Sequence, residues 1–345
     1  MRYKDKTKKT RVALRLMVGL TTSLFFLSST NALNAEDFTS HEGRFWNAEP
    51  VSCGAILENG YYKLTGHLTC PNKPAILITG PAKLNLNGKT LSGVDKKNVC
   101  IQIEGDGARV WNGTVTNCKD GILIDNSNRN KVIGVKACNN DRRGFKIDGT
   151  DSDYEGNENM LDKCLATDNG RQGISIEEGD GNVVEKCSAT DNGQQGFSIE
   201  EGDGNKICHS KAIANCRDGI EIDAGRDNLI IDNFVEDNGN IETCDYFGDP
   251  YDSADDYYYK PWYYAGIDVT DNSEDNEIKY NRACGNLGCV PCYDELLEPT
   301  CKARERNFWD ENVDEDGDCV STNVWKNNRV VCKNVTPECS PEPED

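Results

Sequence analysis

The central part of the chain repeats itself every 23 residues. Gly173, Gly196 and Gly219 each open a copy of one segment, and the first two copies share the run Glu-Glu-Gly-Asp-Gly-Asn. Each copy alternates apolar and polar residues and then passes through Gly, Asn and Asp, which is typical of short strands joined by turns. A short fixed period favours a solenoid, in which each repeat buries its apolar face against its neighbours. The repeat therefore predicts an all-β chain folded as a parallel β-helix.

Two columns of asparagine keep the same spacing. Asn tolerates left-handed backbone and binds local peptide groups at turns, so we interpret both columns as structural ladders. In both columns the spacing grows to 29 near residue 150 and to 48 near residue 250, which predicts loops inserted into regular coils. The first column is Asn117, Asn140, Asn169, Asn192, Asn215, Asn238 and Asn286, and the second is Asn130, Asn159, Asn182, Asn205, Asn228 and Asn276.

Alternation with period two also predicts the core. Cys164 and Cys187 share a column with Ser210, Asn233 and Asn281, which indicates buried small residues rather than a disulfide. The expected inward side chains are Ile122, Ile124, Phe145, Ile147, Ile174, Ile176, Phe197, Ile199, Ile220, Ile222, Ile267 and Val269, with a second set of Val184, Ala189, Ile207, Ala212, Ile230 and Val235.

The first residues have the pattern of a secretory signal peptide. A basic start precedes an apolar run from Leu16 to Leu27, and small residues at Ala32 and Ala35 suit cleavage. We therefore expect a signal peptide at 1–35 and a secreted protein with no membrane span after cleavage; a retained signal anchor is the alternative. All 17 cysteines follow this leader, so we expect disulfides and at least one cysteine left over.

The chain is strongly acidic, with a formal net charge of −21. Such a surface repels nucleic acid and anionic membranes, so neither is an expected partner. It suits cations such as calcium, or polymers bridged by calcium, although simple solubility explains the charge equally well. We expect a monomer.

The outward positions of the repeat strands should form charged files on one face. Carboxylates stacked about 4.8 Å apart repel by about 3–4 kcal/mol per unscreened pair, and a hard cation such as calcium would relieve this. We therefore predict calcium ligands at Glu177, Glu200, Asp223 and Asp268; a solvated, salt-bridged stripe is the alternative. The carboxylate file is Asp125, Asp148, Glu177, Glu200 and Asp223, the file two residues earlier is Leu123, Lys146, Ser175, Ser198, Glu221 and Asp268, and a basic file two residues before each glycine is Lys119, Arg142, Arg171, Gln194 and Arg217.

The two expected insertions, about 149–158 and 245–265, border this face. The larger contains nine aromatic residues, which could stack on sugar rings or simply pack within the loop. The face between the insertions predicts a groove for a polysaccharide, with substrate contacts at Ser175, Ser198, Tyr259, Trp262 and Tyr263.

The opening coils contain sequence motifs that resemble those of a known family. Leu84-Asn-Leu-Asn-Gly-Lys-Thr-Leu-Ser-Gly93, Trp111-Asn-Gly-Thr114 and the Leu-Thr-Cys ending at Cys70 resemble the pectin-lyase-like superfamily over about Cys53–Asn328. The resemblance implies a right-handed parallel β-helix. It also implies the chemistry of calcium-dependent polysaccharide lyases, in which a carboxylate-held cation works with a Lys or Arg base. Catalytic candidates on that basis are Lys146, Arg171, Arg217 and Glu221.

The enzyme motifs of the superfamily are missing. Neither the polygalacturonase blocks nor the Trp-Ile-Asp-His block of pectate lyases occurs. Asp249-Pro-Tyr-Asp252 resembles the Asp-Pro-His-Asp motif of mannuronan C5-epimerases, with Tyr251 in place of the histidine. Two functions remain: a lyase or epimerase acting on a uronate-type polysaccharide, or a non-catalytic structural or adhesive repeat protein.

The remaining segments complete the expected organisation. A polar lead-in covers 36–52, the β-helix covers 53–332 with a cysteine-rich part from Cys284, and 333–345 is an acidic tail. Asn312–Gly317 resembles the start of an EF-hand loop without its final Glu. Cys289 and Cys292 are spaced for a structural disulfide, and Asn112 and Asn334 lie in glycosylation sequons that would make a eukaryotic product a glycoprotein.

Overall fold

The computed structural model describes residues 47–71, 73–149, 156–239, 265–270, 273–293, 299–305, 308–310 and 322–331. The chain divides into two compact units, Met1–Ala48 and Glu49–Asp345, and every strand described below belongs to the second. The described residues form strands and turns, and no helix occurs among them. Consistent with this, no helix in the described ranges is long and apolar enough to cross a membrane.

Parallel strands form three ladders, which we call the first, second and third faces of the coil. The first face contains β2 Ala55–Leu57, β5 Ile76–Ile78, β8 Ile101–Ile103, β10 Ile122–Asp125, β12 Phe145–Asp148, β15 Ile174–Glu177, β18 Phe197–Glu200, β21 Ile220–Asp223, β24 Ile267–Thr270 and β29 Phe308–Asp310. The second face contains β1 Glu49–Pro50, β3 Tyr61–Lys63, β6 Lys83–Asn85, β9 Arg109–Thr116, β11 Lys131–Cys138, β13 Met160–Asp162, β16 Val183–Glu185, β19 Lys206–Cys208, β22 Leu229–Ile231, β25 Glu277–Lys279 and β30 Val324–Lys326.

The third face adds β4 Leu68–Cys70, β7 Thr90–Gly93, β14 Leu165–Thr167, β17 Ser188–Thr190, β20 Lys211–Ile213, β23 Phe234–Glu236, β26 Arg282–Cys284 and β31 Arg329–Val330. The long strands β9 and β11 run through both the second and the third face. Near the C-terminal end of the coils, β27 Leu287–Tyr293 and β28 Pro299–Glu305 pair antiparallel in a separate two-stranded sheet.

The register shows that one repeat is one complete coil. Ile174 pairs with Phe197, and Phe197 pairs with Ile220, so residues 23 positions apart lie directly above one another. The fold is a right-handed parallel β-helix, as predicted. The expected insertions also appear in the register, because Phe145 pairs with Ile174 and Ile220 pairs with Ile267.

The inside of the coil is a continuous apolar core. Every residue in both predicted inward sets is buried, and Phe197 and Ile199 have no exposed surface. A fully buried side chain of this size contributes about 1.5–3 kcal/mol relative to its exposed state. Because each coil adds its own set of such side chains, burial stabilises neighbouring coils against one another rather than a single centre.

Asparagine ladders satisfy the polar groups at the corners of the coil. In one ladder the backbone N–H and the Nδ2–H of Asn169 both donate to Asn192 Oδ1, at 3.2 and 2.9 Å. The same pattern continues to Asn215 and Asn238, and the other predicted ladder runs on to Asn323. Both columns are therefore structural, as predicted.

The prediction is wrong for one member of the first asparagine column. Asn117 is exposed and has φ 54°, and Asn140 Oδ1 instead accepts the backbone N–H of Cys118. The coil that leads from Asn117 to the next corner has 22 residues instead of 23, because Thr116 pairs with Cys138. Asn117 is therefore equivalent to the turn residue Asn139, and the ladder begins at Asn140. Spacing alone could not show which of two adjacent asparagines, Asn139 or Asn140, faces inward.

A third ladder joins the cysteine column to asparagine. The backbone N–H of Cys164 donates to Cys187 Sγ, that of Cys187 to Ser210 Oγ, and that of Ser210 to Asn233 Oδ1. Cys164 and Cys187 are buried and free, as predicted.

Disulfides join Cys53 to Cys70 and Cys100 to Cys118. Cys216 and Cys284 are also disulfide-bonded. Such bonds persist outside the reducing cytosol, which agrees with the predicted export. The signal peptide itself lies outside the described residues.

Candidate functional site

The outward side chains of β12, β15, β18 and β21 on the first face form what we call the charged row. Register places Asp148, Glu177, Glu200 and Asp223 in one file. A neighbouring file holds Lys146, Ser175, Ser198, Glu221 and Asp268. Consecutive members of each file are one strand spacing apart, about 4.8 Å. Both predicted files therefore exist as continuous lines along the axis of the coil.

Two cations hold Glu177 at one end of the row. Arg143 Nη2 and Lys146 Nζ each form an ion pair with its carboxylate, and Lys146 Nζ also lies 2.9 Å from Asp148 Oδ2. The Arg143 side chain is 7% exposed and that of Glu177 18%. Because water screens these charges little, their mutual attraction is stronger than in an exposed pair, and loss of one partner would leave a poorly solvated charge.

Neutral side chains contact the next carboxylates along the row. Gln195 Nε2 donates to Glu221 Oε2 at 2.6 Å, and Ser198 Oγ donates to Glu200 Oε1 at 2.9 Å. Gln172 Nε2 lies 3.5 Å from Glu200 Oε1. Positive partners therefore give way to amides and hydroxyls within two coils.

This change of partner separates the pKa values of the three glutamates. Burial acts to raise the pKa of Glu177, but the charges of Arg143 and Lys146 outweigh it and leave that pKa lowered. Burial, aided by the negative charge of Glu177, raises the pKa of Glu200. Burial also raises the pKa of Glu221 well above its ordinary range, and Asp218 and Glu200 add to this effect. Neighbouring carboxyls with separated pKa values can divide the roles of proton donor and acceptor.

Stability should therefore fall as the pH rises through the titration of Glu221. The pKa of Glu221 is higher in the folded chain than in the unfolded chain, where it has the ordinary value for Glu of 4.5. As the pH rises above that value, the unfolded chain releases the proton more readily than the folded chain, so the unfolded state gains in relative stability. We expect the free energy of unfolding in urea to decline from pH 5 to pH 8, and Glu221→Gln to reduce that decline. Glu58→Gln, at an exposed position, is the control. An unchanged pH profile in Glu221→Gln would contradict the assignment.

The predicted substrate residues divide into two groups. Ser175 and Ser198 lie in the row, but they are 0% and 1% exposed because longer side chains on both sides cover them. Their hydroxyls donate to Glu177 and Glu200, so they support the carboxylates rather than reach outward. The predicted Tyr259, Trp262 and Tyr263 lie outside the described residues, as does the Asp249–Asp252 motif.

The predicted basic file is in register, but another residue pairs with the row. Backbone bonds link Arg142 to Lys119, Arg171 to Arg142 and Arg217 to Gln194. Of the predicted catalytic residues, Lys146 and Glu221 are members of the row: Lys146 pairs with Glu177, and Glu221 accepts a hydrogen bond from Gln195. Arg217 contributes a positive charge that acts to lower the pKa of Glu221. The catalytic roles themselves stay predictions.

Sequence reasoning missed the file directly before each repeat glycine. Arg143, Gln172 and Gln195 occupy this file, and each reaches a carboxylate on the following coil. The signal was present, because Asp120, Arg143, Gln172, Gln195 and Asp218 are polar in five successive copies.

The predicted calcium ligands lie in the two files but do not converge as a set. Among the described residues, one group of three acidic, Cys or His side chains has ligand atoms all within 4.8 Å of one another, and it is Glu185, Cys208 and His209. That group lies on the second face, away from the row. Calcium binding by Glu177, Glu200, Asp223 and Asp268 stays a prediction.

Residues 78–288 match the family described as "Periplasmic copper-binding protein (NosD)". The matched segment covers more than half of the chain. This chain belongs to the NosD family. The NosD segment contains both the charged row and the group around Cys208. A comparison with curated protein sequences found no match.

Several solved structures are similar to this NosD-family chain. They include the periplasmic alginate epimerase AlgG (12% identity, 63% of this chain and 50% of that chain covered, TM-score 0.43). The alginate lyase from Paenibacillus sp. str. FPU-7 is 14% identical, with 71% and 84% covered and a TM-score of 0.45. The A-module of the Azotobacter vinelandii mannuronan C-5 epimerase AlgE4 is 12% identical, with 85% and 90% covered and a TM-score of 0.41. The chain spans half the length of the AlgG chain.

Proposed function

We propose that the charged row binds a uronate-containing polysaccharide outside the cytosol and acts on it by acid–base chemistry. The observation that carries this proposal is the row itself. Carboxyl groups with separated pKa values lie side by side in the two files of the row, and Lys146 stands at one end. A straight line of equivalent positions suits a linear polymer whose repeating units lie along it.

Glu200 and Glu221 are the residues best placed to move a proton. A carboxyl with a raised pKa can donate a proton near neutral pH and accept it back, which is what general acid–base catalysis needs. Lys146 would neutralise a uronate carboxylate, and this would make the hydrogen on the adjacent sugar carbon more acidic. Arg143 acts from beneath the row, where it holds Glu177 in place.

The proposed reaction has two outcomes that share one step. The base removes the proton from the carbon beside the carboxylate. In a lyase, the bond from the neighbouring carbon to the glycosidic oxygen then breaks, the oxygen takes a proton, and an unsaturated sugar remains. In an epimerase the proton returns on the opposite face and no bond of the polymer breaks. Neither outcome needs an oxidant or a reductant.

The proposal includes calcium as an ion that helps the row to bind the polymer. Glu177 is already paired with Arg143 and Lys146, so a calcium ion would have to compete with them there. Asp223 and Asp268 lie beyond these cations, where carboxylate repulsion favours a divalent ion. We therefore expect calcium to strengthen polymer binding rather than to be required for folding.

The test is a panel of polysaccharides with and without calcium. Binding is measured by calorimetry, elimination by the absorbance of unsaturated products, and epimerisation by NMR of the treated polymer. Uronate polymers should bind, and neutral polymers should not. Binding without product formation would support the non-catalytic, adhesive alternative, and absence of binding to any polymer would reject the proposal.

Substitutions in the row test catalysis and polymer binding separately. Glu200→Gln should lower turnover by about 10²–10⁴-fold and leave binding largely intact, because a positioned proton-transfer group contributes about that much. Lys146→Met should weaken binding. Lys136→Met, an exposed lysine on β11, is the matched control and should change neither quantity. Equal turnover in Glu200→Gln and the unaltered protein would remove the catalytic part of the proposal.

The copper named in the family description does not suit the charged row. The row offers carboxylate and amino groups, whereas copper in proteins prefers thiolate, thioether and imidazole ligands. A thiol and an imidazole do occur together on the second face, at Cys208 and His209. Those residues fit such an ion, and copper has no part in the chemistry proposed for the row.

A further inference from the structure

A group of three different metal-binding side chains lies on the second face of the coil. Glu185 at the end of β16 is in register with Cys208 at the end of β19, and His209 follows directly. The carboxylate oxygen, the thiol sulfur and an imidazole nitrogen all lie within 4.8 Å of one another. A single ion at their centre could therefore be reached by all three.

The repeat explains why these residues meet at this coil. The position of Cys208 is held by Asp162 and Glu185 in the preceding coils and by Ile231 in the next. The corner position of His209 is held by Lys163, Lys186 and Asp232, all with φ near 55°. In this one coil a cysteine and a histidine replace the residues found at these two positions in the neighbouring coils. Glu185 of the preceding coil pairs in register with Cys208.

Cys208 differs from the free cysteines of the inward ladder. Cys164 and Cys187 belong to the inward ladder, where Cys187 Sγ accepts the backbone N–H of Cys164 and both thiols donate to backbone carbonyls. Cys208 instead follows the inward Ile207 by one residue, so alternation places it on the outer side of the strand. It is nevertheless only 2% exposed, because neighbouring side chains cover it. A covered thiol beside an imidazole and a carboxylate is arranged as a ligand group.

The charges around the group also suit a cation. Asp232 Oδ2 lies 3.8 Å from His209 Nε2, and carboxylates in this position commonly orient a ligating imidazole. Lys186 forms an ion pair with Glu185, so its amino group now holds a place that a metal ion would compete for. The Lys186 side chain is 51% exposed and can swing into solvent.

We propose that Glu185, Cys208 and His209 bind one transition-metal ion of the class that prefers thiolate and imidazole ligands, Zn²⁺ or Cu⁺. Thiolate and imidazole select such ions, while Ca²⁺ takes six to eight oxygen ligands and is excluded by this set. Three protein ligands leave one coordination position open, which is the arrangement of exchangeable rather than closed structural sites. The site is separate from the charged row, so it stands or falls independently of the polysaccharide proposal.

Metal titration of the full chain with its disulfides intact, under anaerobic conditions, tests this site. Isothermal titration calorimetry with Zn²⁺, Cu⁺ and Ca²⁺ in separate arms should show one Zn²⁺ or Cu⁺ per chain and no Ca²⁺ competing for it. Co²⁺ serves as a spectroscopic probe, since a thiolate ligand produces a strong near-ultraviolet charge-transfer band. Comparison of the first two arms decides which ion is preferred.

Substitutions distinguish a built site from general binding to an acidic protein. Cys208→Ser and His209→Asn should each weaken binding by more than about 100-fold, and Asp232→Asn by about tenfold, since loss of an orienting partner alone costs 10–100-fold. Asn tolerates the left-handed backbone of position 209, so this variant should fold. Lys186→Met should tighten binding, because it removes a competitor for Glu185.

Cys187→Ser is the matched control. It removes a buried free thiol one coil away at a column where Ser210 already occurs, so metal affinity should not change. The proposal is overturned if the unaltered protein binds neither Zn²⁺ nor Cu⁺. It is equally overturned if Cys208→Ser and His209→Asn, shown to be folded by thermal unfolding, bind as tightly as the unaltered protein.

Discussion

Replacing Asn192 by alanine is expected to lower the free energy of unfolding by about 3–6 kcal/mol. The side chain accepts two hydrogen bonds from Asn169 and donates to the carbonyl of Ala166 and to Asn215 Oδ1, at 3.2 and 2.8 Å. All four bonds are buried, so alanine would remove the acceptor of both Asn169 donors and the amide that donates to the Ala166 carbonyl and to Asn215 Oδ1. Asn169 Nδ2 would keep its bond to the Ala137 carbonyl, and Asn215 Oδ1 would still accept the backbone N–H of residue 192. Each buried group left without a partner costs about 1–3 kcal/mol, and two or three such groups account for the range.

Urea unfolding followed by circular dichroism measures this effect. Asn139→Gly is the matched control, because Asn139 is an exposed corner residue with φ 55°, a conformation that glycine adopts freely. It should change stability by no more than about 0.5 kcal/mol. If both variants were equally stable, the ladders would not be what satisfies the corners of the coil.

Replacing Arg143 by methionine is the second large effect, with an expected loss of about 3 kcal/mol. The substitution leaves the Glu177 carboxylate 18% exposed and close to Glu200, with Lys146 as its remaining cation. We choose the lower end of the range for a broken buried ion pair. The reason is that Arg143 Nε and Nη1 have no hydrogen-bond acceptor among the described residues, so less is lost with the guanidinium.

The exposed pair of Arg129 and Asp106 provides the comparison for Arg143. Their side chains are 67% and 51% exposed, and Arg129→Met should cost no more than about 0.5 kcal/mol. In the double variant Arg143→Met with Glu177→Gln, part of the lost stability should return, because no unpaired charge remains. Additive effects in that double-mutant cycle would contradict a direct interaction between the two side chains.

The polysaccharide and metal proposals concern different faces of the same coil. The charged row belongs to the first face, and Glu185, Cys208 and His209 belong to the second. Glu221→Gln should therefore leave metal affinity unchanged, and Cys208→Ser should leave polymer binding unchanged. Each variant thus serves as a control for the other site.

Much of the fold could be predicted because the repeat converts sequence distance into spatial distance. A spacing of 23 residues places Glu177, Glu200 and Asp223 in register, and the structure shows that register. The same logic identified the core and the two main ladders. It failed at Asn117, where a coil shorter by one residue shifts the position of the turn. A column of asparagines at equal spacing does not show which backbone conformation each asparagine adopts.

The contents of the site were harder to predict, because register does not determine where long side chains reach. Arg143 lies beside the row and not in it, yet its side chain reaches Glu177 on the next coil. Ser175 was correctly placed in a file but is covered by its neighbours. The 23-residue repeat places Glu185 beside Cys208, but the approach of His209 depends on where its side chain reaches from the corner of the coil, which register does not show.

For this protein, the sequence by itself determined the parallel β-helix, its period and the order of side chains along each face, because every coil repeats the same local pattern. Only the tertiary structure decided which neighbours each carboxyl has, and therefore whether the pKa of each glutamate is lowered or raised. The physical reason is that pKa values and ligand geometry depend on burial and on distances of a few ångströms, which arise only when separate coils pack together.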